Sequence, residues 1–191
     1  MNSASVQTRT LAAVQSRLGR RAVQVVLGSL LVAICAQVTI PLWFTPVPVT
    51  LQTFAVVLLG LLLEPGVAAS AMVLYLIEGM AGLPVLSPIG PVGFLHIFGP
   101  TGGYLLAYPA AVSIIGSLRQ RLGRGFAASA VAAGSGALLI LLSGAAWFEI
   151  LTGQSLGAVL MLTVTPFLAG ETLKVAAAAG IASGMRRFRR S

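Results

Sequence analysis

The sequence predicts an all-α membrane protein of six transmembrane helices with both termini on the cytoplasmic side. Two observations predict it: how few charges the chain has, and where they lie. Of its 191 residues, 57% are hydrophobic and only 8% charged, and the mean hydropathy is +0.97. A soluble domain carries about 25% charged residues, so this chain cannot cover a globule of its size with solvated side chains. That excludes a water-soluble enzyme. At about 20 residues per crossing, the length admits at most about seven helices and leaves no room for a soluble domain. Eleven of the twelve basic residues fall into three clusters: Arg9, Arg17, Arg20 and Arg21; Arg119, Arg121 and Arg124; Arg186, Arg187, Arg189 and Arg190. Long apolar stretches separate them, as the positive-inside rule demands of cytoplasmic segments. Only Phe126 and Phe188 sit among these arginines, so the net charge of +8 does not build a nucleic-acid platform. It suits anionic lipid at the bilayer surface instead.

The elements follow in order. A basic segment over residues 1–21 precedes a first helix that runs to about Ile40 and stops at Pro41. Its apolar run is too long for the h-region of a signal peptide, so it is read as a retained helix. Cys35 lies within it, alone, and takes a packing role. Three prolines in residues 41–48 make an extended external loop, with Trp43 and Phe44 suited to the interface. Spans over 49–63 and 67–77 are joined at Glu64-Pro65-Gly66, a turn without Lys or Arg. Residues 79–103 hold seven glycines and four prolines, too many for a regular helix. Irregular backbone at membrane depth is tolerated only where protein buries it or it lines a cavity. A fourth span covers 104–118 and a fifth 126–146. Residues 147–157 form an external loop, and a sixth span runs from about 158 to the tail at 186–191. The body of the protein is thus residues 22–185.

One pair of charges breaks the pattern. Lys174, the single lysine, lies inside the last apolar helix with Glu171 three residues before it, on the same face. A cation near the bilayer centre costs about 2.5–3.5 kcal/mol on insertion scales. A buried ion pair adds little stability over apolar residues, and intramembrane ionisable groups are functional candidates by default. At about 1.5 Å per residue, Lys174 stands some 18 Å and Glu171 some 22 Å from Arg186. Both are therefore in the outer half of a ~30 Å core, on the side of the proline loop and the Gly/Pro-rich segment. Pro166 and Gly170 loosen the helix nearby.

Other polar residues leave alternatives open. Gln52 and Thr50 serve either a pocket or a helix start; Tyr75 and Glu78 end the third span; His96 is read as a hydrogen-bonded filler. In Thr101-Gly102-Gly103-Tyr104 the glycines let a ligand approach the backbone or let helices pack closely. Ser29 and Ala33 form a small-xxx-small pair for close contact, within the bundle or with a partner. No phosphate loop, nucleophile elbow or HExxH stretch occurs, and four glutamates with no aspartate make no carboxylate-rich metal site. Catalytic and metal residues are not expected. Binding or transport of a small solute is the stronger class, with a proton-coupled secondary carrier as the alternative.

Four stretches carry a resemblance. Ile40-Pro41-Leu-Trp-Phe-Thr-Pro46-Val47-Pro48-Val49-Thr50-Leu51-Gln52 resembles the first loop of the BioY family, the biotin-specific S components of energy-coupling factor (ECF) vitamin transporters. Tyr75-Leu-x2-Gly79-x2-Gly82-Leu83-Pro84-Val85, then Gly99-Pro100-Thr101-Gly102-Gly103-Tyr104-Leu105, then Pro166-Phe167-x2-Gly170-Glu171-x2-Lys174 follow in order. The resemblance implies an S-component-like six-helix bundle in the bacterial cytoplasmic membrane that captures biotin from outside. It would dock on a membrane coupling subunit driven by two cytoplasmic ATPases, with Ser29 and Ala33 as docking residues and no cofactor. The family's last motif usually reads Gly-Asp-x-x-Lys; Glu171 keeps the carboxylate and lengthens its reach by one methylene. Glu171 would accept from the ureido N–H groups, with Lys174 donating to the carbonyl or the valerate carboxylate. Tyr75, Tyr104 and Trp43 would cover the apolar ring, while Gln52, Thr101 and Gly102 complete the expected site.

Overall fold

The computed structural model describes residues 3–188, with side chains from 15 to 185. Arg9 and the tail cluster at 186–190 therefore lie outside the described side chains. Helix takes 77% of the described residues. In order come α1 (Ser3–Gln37), a hairpin of β1 (Thr39–Leu42) and β2 (Thr45–Thr50), α2 (Gln52–Leu62) and α3 (Pro65–Met80). The single turn α4 (Phe94–Ile97), α5 (Gly102–Leu122), α6 (Phe126–Thr152), α7 (Leu156–Thr163), a 3-10 turn (Thr165–Phe167) and α8 (Leu168–Phe188) complete the chain.

The proline loop is extended as expected, and it pairs with itself. Thr39 faces Thr50, Ile40 faces Val49 and Leu42 faces Thr45, with an irregularity between Ile40 and Leu42. Pro41 sits at that break, where a residue without an N–H is tolerated. The helix before it begins at Ser3 and passes through the basic segment without interruption, because nothing between residues 3 and 37 is Pro.

Two boundaries differ from the sequence reading. The expected loop over 147–157 is mostly helix: α6 continues to Thr152, and its stop is Gly153 in the left-handed conformation at φ 64°. That is a glycine C-cap, and it outweighs the polar Glu149 that suggested a loop. The last span is broken rather than continuous. Thr165–Phe167 is a 3-10 turn around Pro166, and the Phe167 N–H bonds Val164 O instead of Thr163 O. The Thr163 carbonyl, left open, accepts the Tyr104 hydroxyl at 2.7 Å. In an apolar setting such a freed carbonyl must find a partner.

Short α2 lies at the centre, packing on α1, α3, α5, α6 and α8. Eight of its eleven residues are buried, the polar Gln52 and Thr53 among them. The closest pairing is α5 on α6, and glycine makes it possible. A methyl on Gly103 would strike Trp147 Cβ and lie 2.5 Å from Ser143 O; one on Gly144 would enter the Tyr104 ring.

Arg21 and Arg119, from the first two arginine clusters, share one end of the bundle. Arg21 of α1 pairs with Glu64 of the α2–α3 turn at 2.7 Å, supplying the cation that turn lacks in sequence. Pro65, next to Glu64, lies against Gly116 of α5. One turn on, Arg119 donates to Ala182 O of α8 at 3.1 Å. Partial burial holds the Arg119 pKa below the usual arginine value, and Arg124 adds to that. Since both partners of the Arg21–Glu64 pair are exposed, replacing Arg21 with alanine is expected to change thermal stability by less than about 1 kcal/mol. A larger loss in thermal unfolding in detergent would mean that the pair does more than mark the end. At the opposite end, Gln37 bonds Pro84 O and Leu86 O, and Trp147 Nε1 donates to Gly99 O, tying the hairpin side to residues 81–101.

Among the described residues, three helical stretches are long and apolar enough to cross a membrane: Gln15–Gln37, Phe126–Thr152 and Leu156–Met185. Gln52–Leu62 and Pro65–Met80 are apolar but shorter.

Candidate ligand-binding site

The break at Pro166 makes the site possible. It restarts the helix so that Glu171 falls in the first turn of α8, where the helix dipole favours a carboxylate. Lys174 follows one turn later. Its Nζ donates to Glu171 Oε1 at 2.6 Å and to Thr53 Oγ1 at 2.9 Å. The Thr53 hydroxyl donates to the same Oε1 at 2.7 Å, closing a triangle between α2 and α8. The charged side chains keep 12% (Lys174) and 8% (Glu171) of their exposure. At such burial an ion pair survives only with further hydrogen bonds, and Thr53 provides them.

Both bonds to Glu171 end on Oε1. Among the described residues no donor reaches Oε2. Lys174 has three N–H groups and spends two. The triangle therefore offers one carboxylate acceptor beside one ammonium donor.

These groups face a recess at the hairpin end. Val47, Pro48 and Thr50 of β2 line one side, Tyr104, Leu105 and Tyr108 of α5 another, with Leu141 of α6 and Phe167 beside Glu171 and Lys174. Ser87, His96 and Thr101 border it from the Gly/Pro-rich segment. It holds about 510 Å³ of empty space, open solvent at its mouth included. The enclosed part is small, so lining side chains must shift before a drug-sized ligand is seated. Gln52 is held beneath: Nε2 donates to Tyr75 OH at 2.6 Å, while Thr50 and Tyr108 hydroxyls donate to Oε1 at 3.2 and 3.4 Å. His96 is buried, and its Nδ1 meets Pro91 O at 2.8 Å. A carbonyl only accepts, so that nitrogen carries the proton.

The structure gathers Glu171, Lys174, Gln52, Thr101 and Tyr104 around one recess, and separates five other expected residues from it. Tyr75 is fully buried behind Gln52 and holds it, without lining the cavity. Gly102 is packed against Ile97 O and Trp147, so the glycines of that motif serve helix packing rather than ligand approach. Trp43 is 96% exposed at the hairpin tip, edge-on to Phe44, and covers nothing in the recess. Ser29 and Ala33 are not a docking surface: both are buried inside the chain, and Ser29 Oγ donates to Glu78 across α1 and α3. Small residues on the inner face of α1 let the helices of this chain approach, which is the intramolecular half of the same rule. Thr53 and Tyr108 escaped sequence reasoning. Thr53 meets Glu171 across 118 positions, a pairing that no local pattern announces.

A family model for the BioY family matches residues 5–191. The chain belongs to the BioY family. A probable biotin transporter BioY from Pyrococcus horikoshii is 36% identical over 156 residues, 82% of this chain and 90% of that protein. The biotin transporter BioY2 of Lactococcus lactis subsp. cremoris is 34% identical over 154 residues, 78% of this chain and 81% of that one. The fold is also that of a solved S-component for biotin from an ECF-type ABC transporter, with a TM-score of 0.82 at 22% identity, covering 90% of this chain and 93% of that one. The four motifs quoted above thus occur in one fold, and three of them border the recess.

Proposed function

We propose that this chain binds biotin at the recess and carries its uptake as the S component of an ECF transporter. The observation that carries the reading is the Thr53–Glu171–Lys174 triangle. Its free carboxylate oxygen and neighbouring ammonium are the complement of an N–H beside a C=O, the edge that biotin's ureido ring presents. Tyr104, Phe167 and Leu105 supply apolar cover for the ring system. A ligand without that edge leaves Glu171 Oε2 and the third Lys174 N–H without partners, which costs about 1–3 kcal/mol per group. The chain is a transporter component and not an enzyme, and needs no cofactor.

The finer topology belongs to the same proposal. Six crossings are made by α1, α2, α3, α5, α6 and the broken α7–α8 unit, short α2 being completed by the hairpin. The arginine end faces the cytoplasm, which puts the recess outside, basic segments 1–21 and 186–191 inside, and residues 22–185 in the bundle. A membrane coupling subunit and two cytoplasmic ATPases would energise it, in a bacterial cytoplasmic membrane.

Titration of the purified protein with a panel of vitamins tests the reading. Biotin is expected to bind and to raise the melting temperature, since ligand at about 100 times its Kd adds about 2.7 kcal/mol. No stabilisation by biotin, or equal stabilisation by an unrelated vitamin, would sink it. Because Trp43 stands clear of the recess, Trp43→Ala is expected to leave biotin affinity within about twofold, a change worth less than 1 kcal/mol. A large loss would put the hairpin tip over the ligand.

A further inference from the structure

We infer that Thr53 is a positioning residue, whose hydroxyl ties Lys174 and Glu171 Oε1 together so that Oε2 stays open to the ligand. This rests on the biotin reading and deepens it. Five hydroxyls inside the helices of this protein bond their own backbone, whereas Ser29, like Thr53, reaches a carboxylate on another helix. Ser70, Ser113, Thr152, Thr163 and Thr172 each donate to the carbonyl four residues back. That is the usual local outlet for such side chains. Thr53 has none, because the residue four before it is Val49 of β2, outside the helix. Its hydroxyl crosses to α8 instead, giving its one proton to Glu171 and a lone pair to Lys174.

The geometry has a consequence for the carboxylate. A lysine ammonium alone with a carboxylate is free to swing between its two oxygens. Thr53 removes that freedom, since it holds Nζ at 2.9 Å and Oε1 at 2.7 Å on one side of the pair. Glu171 is longer than the aspartate its family motif usually carries, so it has one more torsion to fix, and the hydroxyl from α2 fixes it. Without Thr53, Lys174 competes with the ligand for Oε2. Serine preserves the arrangement; valine keeps the shape and removes both bonds.

The test uses the full chain in detergent, titrated calorimetrically with biotin. Thr53→Val is expected to lose about tenfold in affinity and Thr53→Ser to stay within about threefold. Because Thr53 acts through Glu171, the Thr53→Val, Glu171→Gln double variant is expected to bind no more than about twofold worse than Glu171→Gln alone. Melting temperatures of the apo variants report folding separately. Affinity unchanged in Thr53→Val, a serine variant as weak as the valine one, or additive losses in the double variant would each overturn the inference. If Glu171→Gln and Lys174→Ala weaken biotin but Thr53→Val does not, only the role of Thr53 falls. If neither weakens it, the site reading falls as well.

Discussion

Lys174→Ala is expected to weaken biotin binding at least about tenfold, or about 1.4 kcal/mol, in equilibrium titration of the purified protein. Two losses combine. The ligand carbonyl loses its ammonium partner, and Glu171 loses its cation in a site where the carboxyl side chain is 8% exposed. A buried carboxylate stripped of its partner costs about 3–5 kcal/mol, and the arrangement that presents Oε2 to the ligand goes with the ammonium. Thr53 still bonds it, and α8 remains packed on α2 and α6. The variant is therefore expected to fold, with Glu171→Gln as the companion that removes the charge problem. Unchanged affinity in both would take the pair out of the site.

The second large effect is on stability. Gly103→Ala is expected to cost about 3 kcal/mol, the upper part of the range for overpacking, and to lower the melting temperature by roughly 6–12 °C. The reason is that the added methyl meets backbone: Ser143 O stands 2.5 Å from it, and α6 cannot yield without parting from α5. Gly144→Ala is expected to behave alike, because its methyl enters the Tyr104 ring and pushes the hydroxyl off Thr163 O. Gly134, on the same helix, has nothing within 4 Å of its added methyl. There alanine is expected to be neutral or stabilising by up to about 1 kcal/mol. Thermal unfolding of the three variants in one detergent decides it; equal melting temperatures would mean that α5 and α6 do not interlock through these glycines.

Much of this was legible in the chain itself, for physical reasons. Charge is too costly in hydrocarbon to be scattered, so eleven arginines gather in three stretches of sequence, and Arg21 and Arg119 of two of them meet at one end. The same cost makes Glu171 and Lys174 conspicuous in an apolar run, and Pro166 marks a loosened helix there, though not that it breaks. Prolines 41, 46 and 48 exclude helix and leave an extended backbone, though nothing local says that it pairs with itself. What was not legible depends on partners far along the chain. Glu149 looks like a loop residue until Gly153 is seen to cap the helix beyond it. Trp43 has the right surface for a ligand, but its placement at a hairpin tip follows from register rather than residue type. Ser29 and Ala33 mark close packing correctly, yet spacing on one helix does not say which helix approaches. Thr53 is silent in sequence because its chemistry requires a helix 118 residues away.

The shortness of α2 has a consequence for work rather than for binding. Gln52 and Thr53 open a helix of eleven residues, about 16 Å long, whose far end meets the arginine-marked turn at Glu64. On the proposed orientation, cargo held beside Thr53 would have about half of a ~30 Å hydrocarbon layer still ahead of it. Capture would complete the first half of the journey, driven by affinity alone. The motor would have to open only the remaining stretch, and to do so against the very contacts that made the capture tight.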